Sequence, residues 1–246
     1  MLTQYERGHV LKGDDIIKRL QALGDPERAG NLRRYFKTGP GEYAHGDVFA
    51  GLRVPEIRSL AKEYHALIPE TIRELLHSSL HEARLLALLI MVQAYKHGSA
   101  SSQERIYRLY LENTRHINNW DLVDLSAPQI VGAHLEHRDR APLFSLAQSD
   151  LLWDRRISIL ATFHFIKAYA FGETLRIAEH LIHDPHDLIH KAVGWMLREI
   201  GKRDQPTEEA FLKRHYTAMP RTMLRYAIER FPHDLRQRYL HGTLEV

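Results

Sequence analysis

The sequence contains no cysteine among its 246 residues. Disulfide bonds and thiolate metal sites are therefore excluded, which fits a reducing compartment such as the cytoplasm. With 44% hydrophobic residues, the chain can bury an ordinary core without such cross-links.

A long hydrophobic run is also missing. The longest, from Leu85 to Val92, is too short to span a bilayer. The stretch from Met1 to Val10 is charged and has no apolar run, so we expect no secretory signal. We therefore predict a cytoplasmic protein without a membrane partner.

Neither sign of charge dominates, since the formal net charge is +3 with 17 histidines counted as neutral. This mildly basic balance allows a nucleic-acid partner without requiring one, so the distribution of charge must decide. Basic residues on a concave face would contact phosphates, whereas pairs such as Arg225 and Glu229 are also typical of a solvated helix. The basic clusters are Arg33-Arg34, Arg155-Arg156, Lys202-Arg203, Lys213-Arg214, Arg221 and Arg225.

Alternating strand patterns are absent, and almost every segment has helical periodicity, which predicts an all-α fold. Proline begins several segments, as at Pro26, Pro55 and Pro69. The predicted helices are 14–23, 26–36, 55–67, 69–76, 81–95, 101–115, short ones from 120 and from 128, 142–148, 152–170, 172–183, 187–202, 206–219, 221–231 and one after 232. A glycine-containing loop, 37–54, separates the second helix from the third.

A spacing of 36 residues relates four segments, which start at Leu80, His116, Leu152 and Leu188. This period lies within the range of helical repeats. Short connections between helices are typical of the same architecture. We predict a solenoid of helical hairpins, in a chain long enough for one large domain or two small ones.

The repeat register singles out four residues. The ninth position holds Asp124 where the other segments have Leu88, Leu160 and Met196, so a carboxylate occupies a semi-buried position. Such a group needs a partner, and Arg156 is the natural one. The fifth position holds Arg84, Trp120, Arg156 and Ala192, which indicates a face near solvent. Trp195 lies almost one turn beyond that position.

Equivalent positions of successive repeats line one surface of a solenoid. We therefore expect Trp120, Asp124, Arg156 and Trp195 to converge on the concave side. A carboxylate stabilises an oxocarbenium-like sugar, and an aromatic face attracts a cation by about 0.5–2 kcal/mol. Arg156 would hold a phosphate or orient Asp124. The alternative is that both tryptophans are core residues and that Asp124 and Arg156 form a structural ion pair.

Four ordered motifs carry a family resemblance. They are Asn118-Asn119-Trp120-Asp121-x-x-Asp124, Trp153-x-Arg155-Arg156, Lys191-Ala192-x-Gly194-Trp195-x-Leu197-Arg198-Glu199 and Met219-Pro220-Arg221-Thr222-x-Leu224-Arg225-Tyr226-Ala227-Ile228-Glu229. Phe49-x-Gly51-Leu52-x-Val54-Pro55-x-x-Arg58 precedes them. As a set, they resemble the AlkD-like DNA alkylation-repair glycosylases, from about Tyr43 to Tyr239.

The resemblance implies one domain, 1–246, folded as a superhelical solenoid of HEAT-like repeats that cradles duplex DNA. It also implies hydrolytic release of cationic N3- and N7-alkylated purines without a metal or other cofactor. Asp124 would be the catalytic carboxylate, Trp120 and Trp195 would pack against the lesion nucleotide, and Arg156 would grip DNA beside them. The expected DNA-binding residues are Tyr43, Arg58, Arg84, Lys191, Arg221 and Arg225.

Two other functions compete with this hypothesis. One is a non-catalytic HEAT-repeat binder of distorted or branched DNA. The other is a protein-interaction scaffold, which gives no reason to place a carboxylate between two aromatic residues; we expect no obligate protein partner. The spacing of His180 and His183 is compatible with metal ligation, but Pro185 interrupts the tract, so we predict no metal site.

Overall fold

The computed structural model of the protein describes residues 5–6 and 9–244, with side chains from residue 11 onward. The predicted lack of a secretory signal concerns 1–10, whose side chains lie outside this part. The chain divides into two compact units, Met1–Leu122 and Val123–Val246. The regular elements of the described residues are helices except for one short antiparallel hairpin, β1 (Tyr5–Glu6) and β2 (His9–Val10), which confirms the predicted all-α class.

The described part of the first unit contains six complete helices and the start of a seventh. They are α1 (Gly13–Ala22), α2 (Pro26–Tyr35), α3 (Val54–Glu63), α4 (Pro69–Leu76), α5 (His81–His97), α6 (Ala100–Glu112), a 3-10 turn (Thr114–His116) and the beginning of α7 (Trp120–Ala127). Helix α5 is the centre of this unit, because α1, α3, α4 and α6 all pack against it.

The loop between α2 and α3 is anchored to the N-terminal end of α5. Val48 pairs with Leu80 in an isolated parallel bridge. The buried carboxylate of Glu82 accepts hydrogen bonds from the backbone amides of Ala50, Gly51 and Leu52 at 3.0, 2.8 and 3.3 Å. Gly51 has φ +91°, a conformation that favours glycine. A side chain there would also collide with the backbone oxygen of the residue that caps the N-terminus of α2. The loop therefore has a fixed course beside α5.

The second unit contains the remaining helices. They are the rest of α7, a π-helical turn (Pro128–Gly132), α8 (Ala141–Ala147), α9 (Leu152–Ala161), α10 (Phe163–Lys167), α11 (Gly172–His180), α12 (Asp187–Gly201), α13 (Gln205–His215), α14 (Arg221–Ala227), a 3-10 turn (Ile228–Arg230) and α15 (His233–His241). Helix α12 is the centre of this unit and packs against α9, α11, α13 and α14. No described helix has both the length and the hydrophobicity that a bilayer crossing requires.

The predicted helix 152–170 is wrong as one element, since it is divided into α9 and α10 at Thr162. The Thr162 hydroxyl donates to the carbonyl of Ile159 at 2.6 Å, an interaction that bends helices. Gly132 approaches the Ala161 carbonyl closely enough that a Cβ at Gly132 would lie 2.3 Å from that oxygen. Close packing and local hydrogen bonding therefore end α9 at this point.

Candidate functional site

Trp120 begins α7 and lies half-buried on an aromatic cluster of the first unit. Its indole stacks on Phe36 with ring centroids 5.4 Å apart, and Tyr35 meets it edge-on at 6.0 Å. The Asn119 side chain accepts a hydrogen bond from the Trp120 backbone amide at 2.8 Å. The rest of the cluster consists of Ala29, Leu32, Tyr43, Ala44 and Phe49. Trp120 is thus supported on one side and remains partly accessible.

The prediction that the fifth repeat position lies near solvent is wrong for three of its four members. Arg84 is 3% exposed, Arg156 is 5% exposed and Ala192 is fully buried. Arg84 forms an ion pair with Asp47 at 2.7 Å and donates to the Ser78 carbonyl at 2.8 Å. Its guanidinium is therefore committed inside the fold, and the structure does not support the predicted DNA contact by Arg84.

A buried polar network lies beneath Trp120 in the same unit. His81 contacts Asp47 through Nδ1 at 3.3 Å and Asp121 through Nε2 at 2.8 Å. Asn119 donates to Asp47 at 3.4 Å. Burial lowers the pKa of His81, but the hydrogen bonds to Asp121 and Asp47 outweigh this effect, so the pKa lies above its ordinary value. The imidazole is therefore stabilised in its charged form.

Asp124 and Arg156 form the predicted pair, which lies in the second unit. Arg156 Nε donates to one carboxylate oxygen and its second terminal nitrogen to the other, both at 2.8 Å. The remaining terminal nitrogen donates to the Leu188 carbonyl at 2.5 Å. The Asp124 side chain is 17% exposed and that of Arg156 is 6% exposed. The guanidinium of Arg156 is buried and all three of its nitrogens are engaged, so the structure does not support the expectation that Arg156 grips DNA.

Trp195 lies on the same face of α12 as Leu188, because seven residues make almost two full turns, a rise of about 10.5 Å. Its indole N–H donates to Glu199 at 3.2 Å, and Phe163 lies 6.0 Å away between ring centroids. Lys202 and Arg203 neutralise the Glu199 carboxylate at 2.5 and 3.1 Å. Burial raises the pKa of Glu199, but these partners lower it below the ordinary value. The charged Glu199 carboxylate therefore holds the half-buried indole of Trp195 in place.

The remaining predicted DNA-binding residues differ in their surroundings. Arg58 and Arg225 are exposed, and Glu229 pairs with Arg198 rather than with Arg225. Lys191 contacts Asp187 at 2.7 Å and keeps 39% of its side chain exposed. The other two are Arg221, which donates to the Leu240 carbonyl from an exposed position, and Tyr43, which packs half-buried on the aromatic cluster.

The histidine tract consists of residues with separate local contacts. His190 bonds the Asp184 carbonyl at 2.5 Å, and His186 Nδ1 accepts from the Leu188 amide at 3.1 Å. Burial lowers the pKa of His186 below its ordinary value. In the part of the chain that the structure describes, no three His, Asp or Glu side chains are grouped as metal ligands.

The sequence analysis did not identify Asp47 and His81 as members of the buried polar network beneath Trp120. The second position of the repeat holds His81, Ile117, Trp153 and Ile189, and all four are buried. A histidine in an otherwise apolar position is the same signal that identified Asp124. Asp47 lies in a loop outside the repeat register, so no periodicity could have identified it.

The comparisons with known proteins identify the family. A family model described as a DNA alkylation repair enzyme matches residues 16–231. The chain belongs to this family. The resemblance drawn from the motifs is confirmed, and membership in the DNA alkylation repair family supports a role in DNA repair with DNA as the substrate.

A solved structure of a predicted DNA alkylation repair enzyme from Enterococcus faecalis shares the fold of this family member. The TM-score is 0.65, and the match covers 85% of this chain and 97% of that chain at 19% sequence identity. A search of curated proteins found no match.

Proposed function

We propose that this DNA alkylation repair family member is a DNA glycosylase that hydrolyses the N-glycosidic bond of cationic N3- and N7-alkylated purines in duplex DNA. We also propose that its helices form one domain of HEAT-like repeats that cradles the duplex. The proposal rests on the partly exposed Asp124 carboxylate, which Arg156 holds by both oxygens at 2.8 Å.

Asp124 has the properties of a preorganised electrostatic group. A bidentate guanidinium fixes both the position and the plane of a carboxylate. A carboxylate fixed in this way stabilises positive charge that develops on the deoxyribose as the glycosidic bond breaks. Because an alkylated purine already carries a positive charge, it leaves as a neutral base and needs no strong general acid. Asp124 also has the chemistry to orient the attacking water.

The two tryptophans have proposed roles in binding the lesion nucleotide. Trp120 lies four residues before Asp124 in α7, a spacing that places two residues on one helix face. Trp195 lies on the α12 face that includes Leu188, whose carbonyl binds Arg156. Both indoles are half-buried, so each has a supported ring and an accessible part. We propose that they pack against the sugar and backbone of the lesion nucleotide.

The proposed phosphate contacts come from exposed cations. Arg58, Arg221 and Arg225 are exposed, and Lys191 keeps part of its side chain in solvent beside Asp187. Such residues supply salt-dependent affinity without reading the sequence of the DNA. Tyr43 contributes an aromatic surface beside the cluster that supports Trp120.

The test is release of free base from a duplex that contains N7-methylguanine, with wild type compared with Asp124→Asn. We expect the variant to bind DNA normally and to lose about 10²–10³-fold in rate, the usual effect of removing one preorganised group. The matched control is Asp184→Asn, because Asp184 forms a neighbouring Asp–Arg pair with Arg155 at 2.6 Å. Wild-type rates from Asp124→Asn would exclude the catalytic role.

A non-catalytic binder of distorted or branched DNA is the second candidate. The observation that favours it is the complete engagement of Arg156 by Asp124 and Leu188, as expected of an ion pair that only joins helices. In that case Asp124→Asn loses stability, and no base is released by the wild type. Binding to branched and to linear duplexes then separates this candidate from a general DNA binder.

A further inference from the structure

The imidazole of His81 lies between two carboxylates. Its Nδ1 is 3.3 Å from Asp47 Oδ2, and its Nε2 is 2.8 Å from Asp121 Oδ2. The side chain is only 3% exposed. Asp47 comes from the loop after α2, His81 begins α5 and Asp121 lies in the first turn of α7. One ring therefore joins three segments of the first unit.

This arrangement favours a charged ring. A neutral imidazole has one N–H donor, whereas an imidazolium has two. A deprotonated carboxylate only accepts hydrogen bonds, so donation to Asp47 and to Asp121 together needs both donors. Arg84 is the further charged group at this site and pairs with Asp47 at 2.7 Å. Two cations thus face two carboxylates.

The network fixes the backbone on both sides of Trp120. Asn119, which precedes it, accepts from the Trp120 amide at 2.8 Å and donates to Asp47 at 3.4 Å. Asp121, which follows it, is bound by His81. Loss of the Nε2 donor would therefore release Asp121 in the first turn of α7, whereas loss of the Nδ1 donor would loosen Asp47, the acceptor of Asn119.

The aromatic contacts lead to the same ring. Trp120 stacks on Phe36 at 5.4 Å, and Phe36 stacks on Phe49 at 5.2 Å. Both phenylalanines contact the His81 ring, at 5.0 and 4.7 Å between centroids. His81 therefore supports both the indole of Trp120 and the backbone beside it.

We propose that His81, as an imidazolium donating from both ring nitrogens, is the positioning residue that fixes Trp120 for the reaction. This inference rests on the proposed glycosylase function. Deprotonation removes one of the two donors, so His81 loses its hydrogen bond to either Asp47 or Asp121. The orientation of Trp120 is then lost, and base release declines, as the pH rises above the ordinary range of histidine.

The experiment first follows Trp120 without using activity. The protein is labelled with 5-fluorotryptophan, which gives signals from its 3 tryptophans, and Trp120 is assigned by the signal lost in Trp120→Phe. Fluorine NMR spectra are recorded from about pH 6 to about pH 9, a range that begins near the ordinary pKa of histidine. We expect the Trp120 signal to shift with pH in the wild type and to stay constant in His81→Gln. The control His77→Gln changes a histidine that bonds Asn113 at 2.7 Å, and it should keep the shift.

A second variant covers failure of His81→Gln to fold. Asp121→Asn removes one carboxylate, so the Trp120 signal should shift at lower pH than in the wild type. A wild-type Trp120 signal that is constant across the range, or an unchanged shift in both variants, overturns the proposal.

Base release at the same pH values supplies the second readout. We expect the single-turnover rate to fall about tenfold or more along with the Trp120 shift, since small misplacements cost this much. A rate that stays constant over the pH range in which the Trp120 signal shifts overturns the positioning role. Absence of base release at every pH refutes the proposed function instead, while the fluorine signal still tests whether His81 fixes Trp120.

Discussion

At the scale of single residues, the Arg156 side chain binds the Asp124 carboxylate and does not extend into solvent. A guanidinium can donate two parallel hydrogen bonds to a carboxylate, which a lysine ammonium cannot do. The third nitrogen of Arg156 binds the Leu188 carbonyl and so fixes the guanidinium to α12. Orientation of the carboxylate is therefore the property that a conservative change should disturb.

Arg156→Lys tests this role. We expect a loss of about 10²-fold in base release, because the charge is kept but the carboxylate is no longer aligned. The slope of DNA affinity against salt should stay unchanged, since a buried guanidinium makes no phosphate contact. The comparison is Arg225→Lys and Arg225→Ala at an exposed position, of which only the alanine variant should reduce the slope, by about one contact. A reduced slope for Arg156→Lys contradicts the assigned role.

Glu208 is a buried acid that the proposed reaction does not use. Burial raises its pKa from the ordinary 4.5 to about 8, and Glu209 adds to this effect. Because the folded state holds the proton more tightly than the unfolded state, Glu208 contributes full stability below about pH 4.5. That contribution is lost as the pH rises through about 8.

Glu208→Gln should therefore remove part of the pH dependence of folding. The neutral amide keeps the shape of the side chain without the cost of ionisation. We expect the free energy of unfolding of the variant to rise relative to that of the wild type as the pH increases, by on the order of a few kcal/mol at pH 8. Urea unfolding at several pH values measures this difference, and Glu209→Gln, which removes only the smaller cause, should reduce the pH dependence in part. Parallel stability curves for wild type and Glu208→Gln would show that Glu208 ionises freely.

Predictions for single residues succeeded where the residue type differed from the types at the equivalent positions of the other repeats. Asp124 stands among apolar equivalents, and its pairing with Arg156 is confirmed. Arg84 was expected near solvent but is buried, because an arginine in a repeat does not reveal a buried acid in a distant loop. Asp47 is 72 residues from Asn119 in the chain, and such long-range partners leave no local pattern.

At the scale of helices, Gly194 allows α12 and α14 to pack closely. A Cβ at Gly194 would lie 2.4 Å from the Met223 carbonyl oxygen and 2.5 Å from the Tyr226 Cβ. The first of these atoms belongs to the backbone, so relief of the overlap requires the two helices to separate.

Gly194→Ala should therefore destabilise the protein by about 1–3 kcal/mol, although alanine favours a helix. Gly172→Ala is the matched control, because a Cβ at that helical position has no neighbour within 4 Å apart from adjoining residues and the backbone of its own helix. It should be neutral or slightly stabilising. Urea unfolding of both variants makes the comparison, and equal midpoints would mean that α12 and α14 adjust without cost.

Helix boundaries were predictable where sequence signals are local. Pro69 begins α4, and its predicted range, 69–76, matches the structure. The division at Thr162 was missed, because apolar periodicity continues through it. Its causes are a side-chain hydrogen bond and the approach of Gly132, and neither changes the pattern of hydrophobic residues.

At the scale of the whole molecule, the motifs were sufficient to assign the family, and the family model covers 16–231. The four proposed catalytic residues come from three helices, α7, α9 and α12. Their supporting groups, including Glu199 and His81, were not predicted as such. A support is defined by its contacts in the folded chain, whereas the residue that it supports can be identified by its type.

The charge of the lesion decides whether these residues suffice for catalysis. A carboxylate and aromatic faces stabilise a system that carries or develops positive charge. Uracil is a neutral and poorer leaving group, whose departure normally requires a hydrogen-bond donor or an acid. A cation–π contribution of about 1–2 kcal/mol changes a rate by only about tenfold or somewhat more. Most of the selectivity must therefore come from the lability of the lesion itself.

We accordingly expect release of N7-methylguanine or N3-methyladenine, and little or no release of uracil, from otherwise identical duplexes. The measurement is free base from both duplexes with one enzyme preparation, with Asp124→Asn as the background for spontaneous loss. Equal rates on both lesions would require a general acid beside the leaving base and would contradict this mechanism. Release of neither base, together with intact duplex binding, would favour the non-catalytic DNA binder, because its ion pair between Asp124 and Arg156 would then serve the fold alone.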